Sequence, residues 1–420
     1  MSKTVAVVAY HYPPEPVIGS ARPARFTKYL PQFGWDPQVV TAADSSEQGP
    51  GVLVHSVPDH TRSQWELGKR DPQTSGIELF AEKLMRRFVF PGAIALSWSL
   101  TTPRIAESAI RSSGFLPSLV FSTFPPLACF SVGATLARRF GVPWIADLRD
   151  PYVFSPQTVE GFIPQRAQRF LENYYLSLSD AIIVNTESSE QMYRDRYPKM
   201  AHRVCTIPNG FDPEDRLGAC PIPPAANRTL RHVGVLYAGR SPHAILASVT
   251  RLRDRGVALV NDLEVGLIGP CHVDEADSRF MASAAADGWL DLREHTVPKD
   301  EALRLIQESH GLLLLQNQSA VQIPGKLYEY IRIGRPILAL SPRGSAVEWM
   351  LSQCGIPYVN IYPDDSPDAV DQKLLQFLEF PSTPVAASSW FQNRFNAKAQ
   401  TQQLAELFDR VLAESKKRSS

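Results

Sequence analysis

Short apolar runs recur along this chain with helix-forming stretches between them, and the runs come in two series. Residues 5–9, 37–40, 119–122, 144–147 and 181–184 form the first, and residues 232–238, 263–267, 311–315, 337–340 and 358–360 the second. Runs that are apolar at successive positions suit strands covered on both faces, the condition of a parallel sheet with helices packed on each side. The rhythm therefore predicts an α/β protein with two parallel sheets. Between the series lies Cys220-Pro-Ile-Pro-Pro224, which fits neither a helix interior nor a central strand. A domain linker is placed there, over residues 213–228. It separates an N-terminal domain, 1–212, from a C-terminal domain, 229–385, and at 420 residues the chain has the length for two such cores. Residues 42–76 carry few long apolar runs and read as irregular, whereas 365–378 reads as an amphipathic helix. In the tail, 386–420, Leu404, Leu407, Phe408 and Leu412 recur at helical spacing ahead of a polar Lys-Lys-Arg-Ser-Ser end. This tail is expected to be helical and to pack back toward the N-terminal domain.

Composition narrows the function classes. Forty-three basic and 43 acidic side chains cancel, which argues against a partner gripped through nucleic-acid phosphates. The five cysteines, Cys129, Cys205, Cys220, Cys271 and Cys354, form no CxxC pair and read as free thiols of a reducing compartment. No cluster with metal-ligand spacing is present, so neither a metal site nor a cofactor is expected. No run of 18 apolar residues occurs and the chain opens directly on its first strand, so a cytoplasmic protein is expected.

Ligands of open parallel sheets bind beyond the carboxyl ends of strands, and several chemistry-bearing residues fall at such addresses. After the first strand, His11-Tyr-Pro-Pro-Glu-Pro-Val-Ile-Gly-Ser-Ala-Arg22 leads into a helix, with Gly19 placed for close backbone approach. It lacks the GxGxxG of a dinucleotide site. Asp147, Arg149 and Asp150 follow another strand, where they suit either a sugar-hydroxyl contact, for which Asp150 lies furthest into the loop, or a structural ion-pair network. In the second half Gly239 and Arg240 end a strand and suit a diphosphate clamp. Pro324-Gly-Lys-Leu-Tyr-Glu-Tyr-Ile-Arg-Ile-Gly-Arg-Pro336 sets Lys326 and Glu329 three residues apart on one helix. The ammonium suits phosphate oxygens and the carboxylate suits ribose hydroxyls, although an exposed salt bridge has the same spacing. After the following strand, Gly344 and Ser345 are candidates to offer amides to phosphate, and Glu348 to bind sugar or balance charge.

These pieces together resemble the family 4 retaining glycosyltransferases of the GT-B fold, especially bacterial enzymes of capsule, exopolysaccharide and O-antigen assembly. Tyr12-Pro-Pro14 with Gly19 and residues 24–30 are similar to the opening acceptor-side loop and helix, Asp147-Leu-Arg-Asp150 to the Arg-Asp turn, and Ile207-Pro-Asn-Gly-Phe-Asp212 to the segment before the domain crossover. Gly239-Arg240 and residues 326–336 resemble the phosphate-binding turn and the nucleotide-binding helix. The resemblance implies two Rossmann-like domains facing a central cleft, a nucleotide-diphosphate sugar donor held by the C-terminal domain, and a saccharide or polyprenyl-linked saccharide acceptor held by the N-terminal one. Glu329 takes the place of the second glutamate of the Glu-x7-Glu pattern, while Val321 stands where the first is expected. Family members often have a lysine soon after the position of Arg240, where this chain has Ser241-Pro-His-Ala-Ile245, so Lys326 is expected to supply that charge.

The implied reaction is metal-independent transfer with retained anomeric configuration, Arg240 and Lys326 meeting the charge that grows on the leaving diphosphate and Asp150 aligning the acceptor hydroxyl. A nucleotide-sugar epimerase of similar fold and a catalytically silent nucleotide-sugar binding module are the rival readings. Lys83-Leu-Met-Arg-Arg-Phe-Val-Phe90 with residues 94–100 combines positive charge with apolar side chains. A peripheral contact with the inner face of the plasma membrane is expected there, against the alternative of a helix packed on its own sheet.

Overall fold

A computed structural model describes residues 3–15, 17–44, 52–59, 95–153, 162–215, 217, 228–236 and 239–419. The chain divides into two compact units, residues 1–212 with 396–420, and residues 213–395. Each is built on one sheet. In the first, the strands β1 (Lys3–Val8), β2 (Trp35–Thr41), β3 (Leu53–Ser56), β4 (Leu119–Phe124), β5 (Trp144–Leu148), β6 (Ala181–Val184) and β7 (Val204–Thr206) stand in the order β3-β2-β1-β4-β5-β6-β7. In the second, β8 (Arg228–Val233), β9 (Leu263–Ile268), β10 (Leu290–Arg293), β11 (Gly311–Leu315), β12 (Ile337–Leu340) and β13 (Tyr358–Ile361) stand in the order β10-β9-β8-β11-β12-β13. Every pairing is parallel. In both sheets the order reverses beside the first strand, β1 next to β4 and β8 next to β11, which leaves a crevice at each reversal where the connecting chains diverge.

The central strands are the apolar runs, and they are buried throughout: β4, β11 and β12 have no exposed position, as strands covered on both faces require. The helices of the first unit are α1 (Ile18–Tyr29), α2 (Leu96–Ser113), α3 (Ala128–Phe140), α4 (Phe162–Leu178) and α5 (Glu187–Arg196). Those of the second are α6 (His243–Asp254), α7 (Glu275–Ala286), α8 (Lys299–Gln307), α9 (Gly325–Ile333), α10 (Ala346–Gln353), α11 (Pro367–Leu378) and α12 (Ser389–Arg394). A single helical turn, Ala258–Asn261, follows α6. The chain then returns to the first unit as α13 (Ala397–Ser419), whose Leu404, Leu407, Phe408 and Val411 join Val5, Val7, Trp35 and Phe121 in one core. Phe408 packs edge-on against Trp35 at 5.2 Å between ring centres.

Several boundaries differ from the sequence reading. The strand expected over residues 232–238 ends at Val233. Gly234 takes φ +120°, a conformation that leaves the sheet and that side chains other than hydrogen rarely adopt. Strand β3 lies inside the stretch expected to be irregular; it is an edge strand with no fully buried position, and so carries no apolar run. The tail begins its return at Asn396, and α12, expected with it, belongs to the second unit. Four of the cysteines are described and all four are free thiols. Among the described residues no helix is long and apolar enough to cross a membrane. Most of the proposed membrane patch lies outside the described residues. Of its described part, Trp98 is buried in the core with its indole N–H donating to the Val57 carbonyl at 2.8 Å, and Leu100 is exposed on α2.

Candidate nucleotide site

The crevice between β8 and β11 brings together Lys326, Arg240, Gly239 and Glu329. Helix α9 supplies Lys326 in its first turn and docks on the end of β8 through two residues one helical turn apart. Lys326 Nζ lies 2.8 Å from His232 Nε2, and the Tyr330 phenol oxygen accepts from the Val233 amide at 3.3 Å. Glu329, three residues on along the same helix, is exposed, and its charge acts on Lys326. Gly234 makes the docking feasible, because a Cβ there would sit 3.0 Å from the Lys326 nitrogen. Among the described residues no carboxylate lies within ion-pair distance of Lys326. Desolvation, reinforced by the positive charge of Arg240 and only partly offset by Glu329, lowers its pKa to about 7.

The turn at Gly239 is held from the β11 side. Gly239 has φ +85°, and a methyl group there would overlap the Gln318 carboxamide that lies against it. Asn317 donates to the Ser241 carbonyl at 2.9 Å, fastening the chain after Arg240 to the end of β11. Gln316 and Asn317 each keep a buried side-chain carbonyl oxygen with no hydrogen-bond partner. His232, Gly234, Asn317 and Gln318 were not singled out from sequence. Their signal is positional: a histidine two residues before a glycine in a strand, and Gln316-Asn317-Gln318 directly after four leucines.

Gly344, Ser345 and Glu348 do not offer open amides. The Gly344 amide donates to Glu348 Oε2 at 2.6 Å and the Ser345 amide to the Pro342 carbonyl at 3.2 Å, while Ser345 Oγ accepts from the Glu348 amide at 3.2 Å. The next amide, of Ala346, donates to Ala320. These residues form the N-terminal cap of α10, and Glu348 is further engaged by the Tyr362 hydroxyl. The sequence pattern of a capping box explains them without a ligand.

In the first unit the Asp147–Asp150 cluster separates into different roles. Asp147 is fully buried and takes two bonds from Arg22, Nε to Oδ2 at 3.0 Å and Nη2 to Oδ1 at 2.7 Å, with a third from Thr123 Oγ1 at 2.7 Å. Arg22 also donates to the carbonyls of Ile207 and Pro208, each at 2.8 Å. Arg149 spends its guanidinium N–H groups on backbone carbonyls, those of Phe124 at 2.9 Å and Pro125 at 2.8 Å and that of Gly19, while its charge still acts with those of Asp150 and Asp147. Gly19 therefore admits the Arg149 guanidinium and the His11 ring, each 3.2 Å from where its Cβ would stand. Asp150 is half-buried, just past the end of β5. Asn185, at the end of neighbouring β6, donates to the Arg149 carbonyl and so pins the start of that turn.

Residues 20–210 match the profile of the family described as glycosyl transferase 4-like domain. The matched segment takes in α1 from Ser20 on, the Arg22–Asp147 pair and the Asp150 turn. A D-inositol 3-phosphate glycosyltransferase of Nocardiopsis dassonvillei is 26% identical to this chain over 147 residues, 33% of this chain and 34% of that protein. The match spans about a third of the relative's length. The chain is similar to sucrose-phosphate synthase of Thermosynechococcus elongatus, with a TM-score of 0.63 at 13% identity, covering 98% of this chain and 100% of that one. HepE of Anabaena, solved in complex with UDP and glucose, gives a TM-score of 0.56 at 13% identity, covering 97% and 100%. The fold is that of the GT-B glycosyltransferases: two Rossmann-like α/β units with seven and six parallel strands.

Proposed function

We propose that this chain is a retaining glycosyltransferase that moves a sugar from a nucleotide-diphosphate sugar to the hydroxyl of a glycan or lipid-linked acceptor in cell-surface polysaccharide synthesis. The observation that carries the donor half is the cationic crevice of the second unit: the half-buried Lys326 sits against a histidine ring at 2.8 Å, feels the charge of Arg240, and has no carboxylate in ion-pair distance among the described residues. Buried charges are ordinarily paired, so an ammonium held this way is completed by an anion from outside. A diphosphate at the β8–β11 crevice supplies it, with the Gly239 turn, packed against Gln318, placing Arg240 beside it and Glu329 accepting from ribose hydroxyls. As the donor bond breaks, negative charge grows on the diphosphate, and Arg240 and Lys326 stabilise it without the need of a divalent ion. The leaving phosphate takes the acceptor proton, and Asp150 aligns the acceptor hydroxyl from the first unit. Gly344, Ser345 and Glu348 support this site by capping α10. An inner-membrane-associated, cytoplasmic enzyme is consistent with a lipid-linked acceptor.

The test is product analysis with a panel of UDP-, GDP- and TDP-sugars, with and without saccharide and polyprenyl-linked saccharide acceptors. Transfer extends the acceptor and keeps the anomeric configuration. An altered sugar nucleotide formed without acceptor identifies the epimerase, and binding without either product identifies the silent module. Glu329→Ala is expected to weaken donor binding by about 1.5–3 kcal/mol through loss of a charge-assisted hydrogen bond. Unchanged calorimetric affinity in the folded variant removes the ribose assignment.

A further inference from the structure

His232 is the side chain that β8 buries completely at its carboxyl end, and the reaction outlined above does not use it. Its surroundings fix its tautomer. Nδ1 lies 3.1 Å from the Leu313 carbonyl on β11, which only accepts, so Nδ1 carries the proton. Nε2 is left with its lone pair facing Lys326 Nζ at 2.8 Å, so the lysine donates. Desolvation first, then the charges of Lys326 and Arg240, push the histidine pKa well below its ordinary value, and the ring stays neutral. The charged groups around the pair are Lys326 and Glu329 on α9 and Arg240 beyond β8. A lysine side chain carries several rotatable bonds, and a bare apolar wall gives its ammonium no acceptor to settle on. A carboxylate at residue 232 would hold it equally well but would cancel the charge a phosphate needs. A neutral acceptor orients the ammonium and leaves its charge available.

We infer that His232 is a positioning residue that holds Lys326 ready for the donor diphosphate, its Nε2 accepting one ammonium N–H so that the other N–H groups meet the phosphate oxygens in place. The inference rests on the reading of Lys326 as a donor contact. It is tested by calorimetric titration with UDP-glucose and GDP-mannose of the wild type, His232→Phe, His232→Gln, Lys326→Met and the His232→Phe/Lys326→Met double variant, each checked for folding by its melting curve. His232→Phe is expected to weaken binding about tenfold or more, and His232→Gln, which restores an acceptor, to stay within about threefold of wild type. The double variant should bind no more weakly than Lys326→Met alone, since the histidine acts through the lysine. A purely structural role would make the two losses multiply, and that result overturns the inference, as does wild-type affinity in His232→Phe. Failure of the wild type to bind either nucleotide sugar overturns the donor reading itself. In ligand-free protein with labelled histidine, the His232 nitrogens should show a neutral ring protonated at Nδ1 at neutral pH, with a titration midpoint below that of a free imidazole. A ring that titrates as a free imidazole, or whose signals Lys326→Met leaves unshifted, refutes the contact.

Discussion

Asp147→Asn is expected to cost the first unit a large part of its stability while leaving no trace on the chemistry of the second. The variant keeps the side chain's size but removes the charge, and it turns one of two acceptor oxygens into a donor. In the wild type those oxygens take two bonds from Arg22 and one from Thr123, and the pair is sealed from water, Asp147 at 0% exposure and Arg22 at 3%. Breaking a buried pair by removing one partner typically costs about 3–5 kcal/mol, because the other charge stays buried without compensation. Here the Ile207 and Pro208 carbonyls still accept from Arg22, which places the expected loss near the lower end, about 3 kcal/mol. With a urea dependence of about 2–3 kcal/mol per molar, the midpoint of the affected transition should fall by about 1–1.5 M. Equilibrium urea unfolding followed by circular dichroism and tryptophan fluorescence measures it. Replacing both partners, Arg22→Met with Asp147→Leu, should cost clearly less than the sum of the single changes. A loss under about 1 kcal/mol for Asp147→Asn, with an unchanged slope, would refute the view that this aspartate is a structural partner and not an acceptor ligand.

Three further outcomes follow from the same geometry. Because Lys326 has a pKa near 7 and diphosphate binding favours its charged form, UDP-glucose affinity should be flat below about pH 7 and fall as pH rises, up to about tenfold per unit; constant calorimetric affinity up to pH 9 would contradict this. Gly239→Ala forces a side chain into φ +85° and into the Gln318 carboxamide, so donor binding should drop about tenfold or more while the protein stays folded, as titration and melting curves would show. Phe408→Ala removes the ring that packs on Trp35 and Phe121 and should destabilise the first unit by about 3–5 kcal/mol in urea unfolding; a loss below about 1 kcal/mol would show that α13 is not part of its core.

The apolar runs at residues 311–315 and 337–340 coincide with β11 and β12, and the helix expected around Lys326 and Glu329 is α9. These features are legible in one dimension because burial on both faces leaves no polar position in a strand, and helical spacing is a local property of the backbone. The edge strands β3 and β10 are not, since a short half-exposed segment becomes a strand only when a neighbour offers its hydrogen bonds. The residues of the Asp147–Asp150 cluster are equivalent candidates by type and spacing. Only the fold decides that Asp147 faces an arginine 125 residues away in sequence while Asp150 clears the end of β5. Likewise, residues 344–348 carry the same glycine, serine and glutamate whether they bind phosphate or cap a helix, and it is the hydrogen bonds inside the α10 cap that consume their amides. Lys326 was visible as a cation, but not as one held by a neutral histidine 94 residues earlier. Sequence determined the elements and the chemical types available, through short-range geometry and the pattern of burial. Tertiary structure decided which charges are spent on one another and which remain for a ligand, because pairing and desolvation depend on neighbours that the chain brings together only by folding.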